Sequence, residues 1–298
     1  MLKEQETAAT LDGKLVAKIT RDNLAQRIKE HVDHGRRPPG LAVILVGDDP
    51  ASEIYVRNKV SACRQVGVES FFNKFGAAAK EAQILECIDK LNADPNVDGI
   101  LVQLPLPGGL EADRILARLL PEKDADGLHP YNLGLLMSGK PGLRPCTPLG
   151  IMTVLDYYAI SVSGKRAVVI GRSNLVGKPI AALLMQADAT VTVCHSKTAD
   201  LPAYVKTAEI LVVAMGKREF VEGSWIKPGA CVIDVGIHYV SDTTNPEAKP
   251  RIVGDVRYEE AKHVAGFITP VPGGVGPMTV AMLLSNTFQS YEKRLSLR

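Results

Sequence analysis

Four polar side chains in the first half of the chain could together bind a polar ring and move a proton. Tyr55 and Lys59 stand four residues apart in a segment with helical spacing, so they share one helix face. Gln103 ends an apolar run, and Asp126 follows within 124–127. A phenol, an amide and a carboxylate can hold a heterocycle, and an amine can transfer protons. Each group also has an ordinary alternative: a solvated helix face, a loop hydrogen bond, or an Asp-Gly turn.

A second group of residues lies in 167–184, where an apolar β-branched run stops at Gly171 and a helical pattern opens at Gly177. Strand, glycine turn and helix in this order bring a nucleotide phosphate to the N–H groups of a helix N-terminus. The glycine spacing differs from G-x-G-x-x-G, so an ordinary turn between a strand and a helix is the alternative. The segment therefore predicts a dinucleotide site without proving one.

The residues that follow the next strand, His195, Ser196 and Lys197, indicate which dinucleotide is expected. In dinucleotide-binding folds, a carboxylate about 20 residues past the glycine turn binds the ribose 2′-hydroxyl, whereas cations and hydroxyls accommodate a 2′-phosphate. No carboxylate occurs in 190–198, and Arg172 adds a second cation. These residues predict NADP rather than NAD.

Glycines also follow the two later strand patterns, 209–214 and 230–235, at Gly216 and Gly236. Without side chains, such positions let a flat ligand lie close to the backbone. The segment 268–279, rich in glycine and proline, has two interpretations. It is either a rigid linker that returns the chain to the first domain or a loop that closes over the nicotinamide.

Alternating strand and helix patterns predict an α/β protein with parallel sheets. A proline-rich connector at 143–148 divides it into two three-layer αβα domains, the C-terminal one of Rossmann type, with the active site in a cleft between them. We assign 1–148 to a catalytic domain, completed by a C-terminal helix at 277–298, and 149–276 to the cofactor domain. Two prolines after the strand at 99–103 predict a turn at a ligand-binding sheet edge.

Three finer predictions concern helix ends and the N-terminus. Ser52 is expected to cap the helix at 51–67, and Thr279 the final helix. Residues 1–10 carry two glutamates and no apolar core, so we expect a frayed tail and no signal peptide.

Composition excludes several classes of protein. A chain of 298 residues is long enough for two domains, and its net charge of +2 gives no reason to expect nucleic acid as a partner. Apolar runs are too short for a membrane span. Five cysteines without C-x-x-C spacing indicate reduced thiols in the cytoplasm, and we expect no metal.

The motifs together resemble one known family over almost the whole chain. They are, in order, LDGK, VGDDPAS, YVRNK, ILVQLPLP, EKDADG, RPCTP, GRSNLVGKP and ITPVPGGVGPMT. The family is that of bifunctional methylenetetrahydrofolate dehydrogenases and methenyltetrahydrofolate cyclohydrolases of one-carbon metabolism and purine biosynthesis. The resemblance implies oxidation of 5,10-methylene-tetrahydrofolate by NADP, hydrolysis of the methenyl product to 10-formyl-tetrahydrofolate, and a homodimer.

The resemblance also implies roles for the four polar residues of the first domain. Lys59 is the catalytic amine, Tyr55 stacks on the folate, Gln103 supports the lysine, and Asp126 holds the pterin ring. The substrate-binding residues are Tyr55, Gln103, Asp126, Pro272, Gly273 and Gly274. The cofactor-binding residues are Thr147, Gly171, Arg172, Ser173, Val176, His195, Ser196, Ala214, Gly216, Gly236, Ile237 and Thr279.

Two departures and three alternatives accompany this assignment. Val60 and Ser61 follow Lys59 where the family often has a second basic residue, and 239–251 is predicted to be a surface insertion without a catalytic role. One alternative is a dehydrogenase with weak or absent cyclohydrolase activity. The others are a shikimate- or amino-acid-dehydrogenase-like enzyme and a nucleotide-binding regulatory protein without turnover.

Overall fold

The computed structural model describes residues 7–241 and 250–296, which form two compact units. Among these residues, the N-terminal unit holds 18–146 and 280–296, and the C-terminal unit holds 7–17 and 147–279. Each unit is built on a parallel sheet with helices, which confirms the predicted two-domain α/β class. The predicted domain boundaries placed the first residues with the catalytic domain instead. The cleft between the domains stays a prediction.

The elements alternate along much of the chain. The helices are α1 (Gly13–Asp33), α2 (Pro50–Val66), α3 (Glu81–Ala93), α4 (Ala112–Leu116), α5 (Pro130–Met137), α6 (Cys146–Tyr157), α7 (Gly177–Gln186), α8 (Leu201–Val205), α9 (Tyr258–Ala261) and α10 (Val275–Ser296). The strands are β1 (Ala9–Thr10), β2 (Gly40–Val46), β3 (Glu69–Phe75), β4 (Gly99–Val102), β5 (Arg166–Ile170), β6 (Thr190–Cys194), β7 (Ile210–Val213), β8 (Cys231–Asp234), β9 (His238–Val240), β10 (Arg251–Val253) and β11 (Phe267–Ile268).

The N-terminal unit contains a three-stranded parallel sheet in the order β3-β2-β4. Every residue of the central strand β2 is buried, as expected for a parallel strand covered on both faces. On one face, side chains of β2 and β4 pack against α3 through residues such as Ile84 and Ile88. The carboxyl ends of β2 and β4 consequently lie at one fixed edge, where Gln103 begins the next loop.

The C-terminal unit contains a six-stranded parallel sheet in the order β1-β11-β8-β7-β5-β6. Its central strands β5, β7 and β8 are buried apolar runs, and their carboxyl ends share one edge. The strict alternation of strand and helix predicted to about residue 266 is wrong in two places. A single 3-10 turn, Gly223–Trp225, lies between β7 and β8, and β9 and β10 form an antiparallel pair.

The predicted frayed N-terminal tail is wrong for Ala9–Thr10, which forms β1 and pairs in parallel with β11. The pairing satisfies backbone groups that a frayed tail would leave to water. Leu11, which follows, is fully buried. Of the predicted insertion at 239–251, residues 242–249 lie outside the described residues, and the flanking strands pair with each other.

None of the helices in 7–241 or 250–296 combines the length and apolar content that a bilayer span requires.

Candidate functional site

Helix α2 carries Tyr55 and Lys59, and its first turn fixes where they point. Asp49 caps the helix: its carboxylate accepts a hydrogen bond of 2.8 Å from the backbone N–H of Ser52. The prediction that Ser52 is the cap is therefore wrong. Pro50 suits the first helical position because it lacks an N–H and has a fixed φ, so the cap is the residue before it.

Lys59 and Gln103 form a buried polar pair in the N-terminal unit. The Lys59 Nζ donates to Gln103 Oε1 over 3.0 Å, and the two residues are 8% and 9% exposed. Gln103 follows β4, and its Nε2 donates to the carbonyl of Leu104 over 2.6 Å. Because the amide nitrogen is engaged there, the amide oxygen faces the lysine. The Lys59 side-chain nitrogen is thus held at the end of a buried strand.

Asp126 and Lys59 both lie near the buried thiol of Cys146. Burial raises the pKa of Cys146 well above its usual range; Asp126 raises this pKa further, whereas Lys59 lowers it. Both charged groups are therefore close enough to act on one thiol. The Cys146 Sγ donates to the carbonyl of Ala125 over 3.3 Å, so this thiol is part of the packing and no nucleophile.

The two carboxylates of the 124–127 segment have different surroundings. Asp124 is fully buried, and its Oδ2 accepts from the backbone N–H of His129 at 2.7 Å and the side chain of Asn132 at 2.8 Å. Burial raises the pKa of Asp124. Asp126 is only partly buried. Asp124 therefore anchors the loop, and Asp126 is the carboxylate available to a ligand. Residue type and spacing alone do not separate these two carboxylates; the family resemblance selected Asp126.

Tyr55 precedes Lys59 by one helical turn and is 36% exposed. Tyr55 is therefore partly exposed on the helix face that carries the lysine. The amine and the amide are thus in contact, the carboxylate lies near the lysine, and the phenol precedes it by one helical turn. That the four groups bind one ligand stays a prediction. Within the described residues, no group of three or more His, Cys, Asp or Glu side chains is arranged to hold a metal ion.

The glycine turn after β5 forms a close-packed start to α7. Gly171 has φ of +128° and lies so close to β7 that a Cβ on it would overlap the carbonyl of Ala214. Ser173 Oγ accepts from the backbone N–H of Val176 at 3.1 Å, which closes the turn. No described residue accepts a hydrogen bond from the backbone N–H groups of 172–175. These N–H groups fit a phosphate.

The residues predicted to bind the 2′-phosphate follow β5 and β6 and lie at one edge of the sheet. Ile170 pairs with Cys194 in register, so Arg172 and Ser196 each follow that pair by two residues. The turn is held by the N–H of His195, which donates to Thr198 Oγ1 over 2.9 Å. Arg172, Ser196 and Lys197 are exposed. These groups fit a phosphate monoester, because charged donors strengthen hydrogen bonds to phosphate oxygens.

The remaining predicted residues of the C-terminal unit lie at strand ends and before α10. Val213 pairs with Asp234, so Ala214 and Gly216 lie beside Gly236 and Ile237 at the sheet edge. The segment with Pro272, Gly273 and Gly274 is closed by a 2.8 Å hydrogen bond from the Gly274 N–H to the carbonyl of Pro270.

The prediction that Thr279 caps the last helix is wrong, because α10 begins at Val275. The interpretation of 268–279 as a linker or a loop is wrong for the part of this segment that lies in α10. Pro277 is tolerated there since the first turn of a helix needs no N–H donor. The Thr279 hydroxyl instead lies 3.0 Å from that of Thr147. These two predicted cofactor residues are therefore in contact with each other.

Family models match both halves of the chain. The model for the tetrahydrofolate dehydrogenase/cyclohydrolase catalytic domain matches residues 11–126. The model for the NAD(P)-binding domain of tetrahydrofolate dehydrogenase/cyclohydrolase matches residues 145–295.

Known proteins are similar over nearly their whole length. The bifunctional protein FolD of Bordetella bronchiseptica is 52% identical over 287 residues, 96% of this chain and 99% of that protein. The crystal structure of the bifunctional FolD dehydrogenase/cyclohydrolase from Campylobacter jejuni has a TM-score of 0.92 at 44% identity, covering 96% and 99% of the two chains. The Trypanosoma brucei FolD structure, complexed with NADP and an inhibitor, has a TM-score of 0.92 at 38% identity, covering 97% and 99%.

Proposed function

Because this chain belongs to the tetrahydrofolate dehydrogenase/cyclohydrolase family, we propose that Lys59 performs the proton transfers of its hydrolytic reaction. The protein is a bifunctional enzyme. It oxidises 5,10-methylene-tetrahydrofolate to the 5,10-methenyl form with NADP and hydrolyses that product to 10-formyl-tetrahydrofolate. The observation that carries the role of Lys59 is its buried hydrogen bond to Gln103.

Oxidation requires that the substrate be oriented and that the cation it forms be stabilised, and it needs no general base. Loss of hydride from the methylene carbon leaves a cation that two neighbouring nitrogens stabilise, and NADP, when bound, supplies the hydride acceptor. Tyr55 offers its partly exposed ring for stacking, and Asp126 offers a carboxylate to the N–H groups of the pterin. We also assign substrate contacts to Pro272, Gly273 and Gly274.

Hydrolysis requires a group that can take and return a proton. Water attacks the methenyl carbon and loses one proton, one carbon–nitrogen bond then breaks as that nitrogen is protonated, and the remaining hydroxyl proton is released to solvent as the formyl C=O forms. Lys59 is the titratable side chain we assign to both transfers, as a neutral amine that accepts the first proton and an ammonium that donates the second. The Gln103 oxygen, 3.0 Å from Nζ, keeps the amine in place through the cycle.

The preference for NADP is assigned to Arg172, Ser196 and Lys197. Their exposed positions beyond the paired ends of β5 and β6 support binding of the 2′-phosphate. The diphosphate is assigned to the N–H groups after Gly171, where there is no room for a side chain. The other cofactor contacts proposed are Thr147, Ser173, Val176, His195, Ala214, Gly216, Gly236, Ile237 and Thr279.

Lys59→Met tests the assignment because it keeps the length of the side chain and removes the amine. Hydrolysis of the methenyl substrate, followed by loss of its absorbance, should fall by at least roughly 100-fold. Lys90→Met is the matched control, since Lys90 is 75% exposed on α3 in the same unit. Undiminished hydrolysis by a Lys59→Met protein with the circular dichroism spectrum of the wild type would refute the role.

We further propose a cytoplasmic homodimer that associates through the C-terminal unit. The five cysteines are free thiols, which supports a reducing compartment. Strand β6 is a terminal strand of its sheet, and Val193 on it is 40% exposed, which supports an interface there. Sedimentation equilibrium should give twice 32.1 kDa, and the monomer mass at micromolar concentration would contradict the dimer.

A further inference from the structure

Two buried carboxylates lie beneath the predicted cofactor residues of β7 and β8 in the C-terminal unit. Asp234 is the last residue of β8 and is 4% exposed, and Asp255 follows β10 and is fully buried. Neither is among the residues assigned above to substrate or cofactor. A buried carboxylate is costly unless N–H donors surround it, so its partners indicate what holds it there.

Asp255 accepts three hydrogen bonds from two different segments. Its Oδ2 accepts from the backbone N–H groups of Met215 at 2.8 Å and Gly216 at 2.9 Å, just after β7. Its Oδ1 lies 2.7 Å from Nε2 of His238, the first residue of β9. One side chain therefore ties the loop after β7 to the residue that follows Ile237.

Asp234 holds Asp255 and the loop after β8 in the same way. Its Oδ1 accepts from the backbone N–H groups of Gly236 and Asp255, both at 2.9 Å, and its Oδ2 accepts from Val256 at 2.9 Å. Gly236 passes so close that a Cβ on it would overlap the Asp255 carboxylate. The two buried side chains thus fix Gly216 and Gly236 through hydrogen bonds from the backbone N–H groups of these glycines.

We propose that Asp255 is a positioning residue for NADP, which sets the backbone of Gly216 and Gly236 at the distance the cofactor requires. The proposal rests on the cofactor contacts assigned under the proposed function. Asp255 acts through the backbone of these loops, and His238 is its second support. If Asp255 served only to stabilise the fold, its loss would lower stability without changing the affinity of folded protein for NADP.

The bifunctional reaction provides an internal control, because hydrolysis consumes no NADP. In Asp255→Asn, one oxygen becomes an amide nitrogen, and the charge that binds Met215 and Gly216 is lost. We expect the KM for NADP to rise at least about tenfold, with cyclohydrolase activity within roughly twofold of the wild type. Asp156→Asn is the matched control, since Asp156 is exposed in the same unit.

His238→Leu is a second variant that leaves both carboxylates in place. The His238 side chain is 22% exposed, so its replacement disturbs the core less than loss of Asp255. Its KM for NADP should rise severalfold, whereas His238→Gln, which can still donate to Asp255, should restore a value near that of the wild type.

Unchanged KM and kcat for NADP reduction in Asp255→Asn and His238→Leu would overturn the proposal. An equal fall of both activities, with KM for NADP unchanged, would also overturn it, since that pattern indicates general loss of structure. The role of Lys59 is measured by hydrolysis alone, so the two proposals can fail separately.

Discussion

Asp98 lies just before β4 and is fully buried, and its replacement by asparagine is expected to destabilise the N-terminal unit. Its two oxygens accept from both terminal nitrogens of Arg37, at 2.6 and 2.7 Å. Arg294 of α10 donates to the same carboxylate at 2.9 Å, and the N–H of Gly40 at the start of β2 also donates at 2.9 Å. One carboxylate therefore connects α10, the segment after α1 and the sheet.

The expected loss in the free energy of unfolding follows from the contacts that an amide would make in place of the Asp98 carboxylate. The new side chain in Asp98→Asn would turn an N–H group toward a guanidinium that also donates, and the negative charge opposite two arginines would be lost. Removing one partner of a buried ion pair costs about 3–5 kcal/mol. The Arg37 and Arg294 side chains are 26% and 22% exposed, so water can solvate them when the carboxylate is removed. We therefore expect the free energy of unfolding to fall by about 3 kcal/mol, at the lower end of this range. That corresponds to roughly 6–12 °C in Tm for a cooperative unit of this size.

Urea unfolding followed by circular dichroism measures this change, and Asp89→Asn is the control. Asp89 receives a comparable two-bond contact from Arg118, at 2.6 and 2.8 Å, but the two side chains are 45% and 55% exposed. The same substitution should therefore have a much smaller effect there, because solvent screens the pair. Equal destabilisation by the two variants would refute the reasoning that burial sets the value of the Asp98 cluster.

Two further predictions concern the C-terminal unit. The double variant Arg172→Ala, Ser196→Asp should lower the ratio of kcat/KM for NADP over that for NAD by at least about tenfold, because it removes a cation and adds a like charge beside the 2′-phosphate; an unchanged ratio would place the phosphate elsewhere. Burial raises the pKa of Asp234 to about 7 despite its three backbone donors. A raised folded-state pKa gives stability that is fully present below the unfolded pKa, near 4, and is lost as the pH rises through 7. The free energy of unfolding of the wild type, measured relative to that of Asp234→Asn, should therefore be higher at pH 6 than at pH 8 by about 1 kcal/mol, and a difference independent of pH would contradict this.

Buried parallel strands could be predicted from the sequence because they are short apolar runs with strong breaks at their ends. Strand β6 spans Thr190–Cys194 as expected, and α7 begins at Gly177. Residue type and spacing nominated Lys59 on a helix and Gln103 at a strand end, and the family resemblance supplied the expectation that the amide positions the amine.

The starts of α2 and α10 and the N-terminal strand were not predicted correctly. For α2 two neighbouring residues are equally good caps, and for the strand the residues it pairs with are distant in the sequence. Asp49 and Ser52 are both good caps, and only the position of Pro50 separates them. Ala9–Thr10 has no strand pattern of its own and becomes β1 because β11, far along the chain, has a free edge. A short segment of this kind takes its structure from the neighbour it pairs with.

The role of the buried aspartates that position loops could not be predicted from the sequence, for a related physical reason. Where parallel strands end, backbone N–H groups leave the ladder and need new acceptors. Asp234 and Asp255 supply them from inside by accepting bonds from other segments of their unit, and Asp124 accepts from the backbone of its own loop at His129. By type and spacing, an aspartate of this kind cannot be told from one proposed to bind the substrate, such as Asp126. The two kinds of aspartate differ in burial. A carboxylate that binds a ligand has to be partly exposed, whereas one that only accepts hydrogen bonds from a loop can be fully buried.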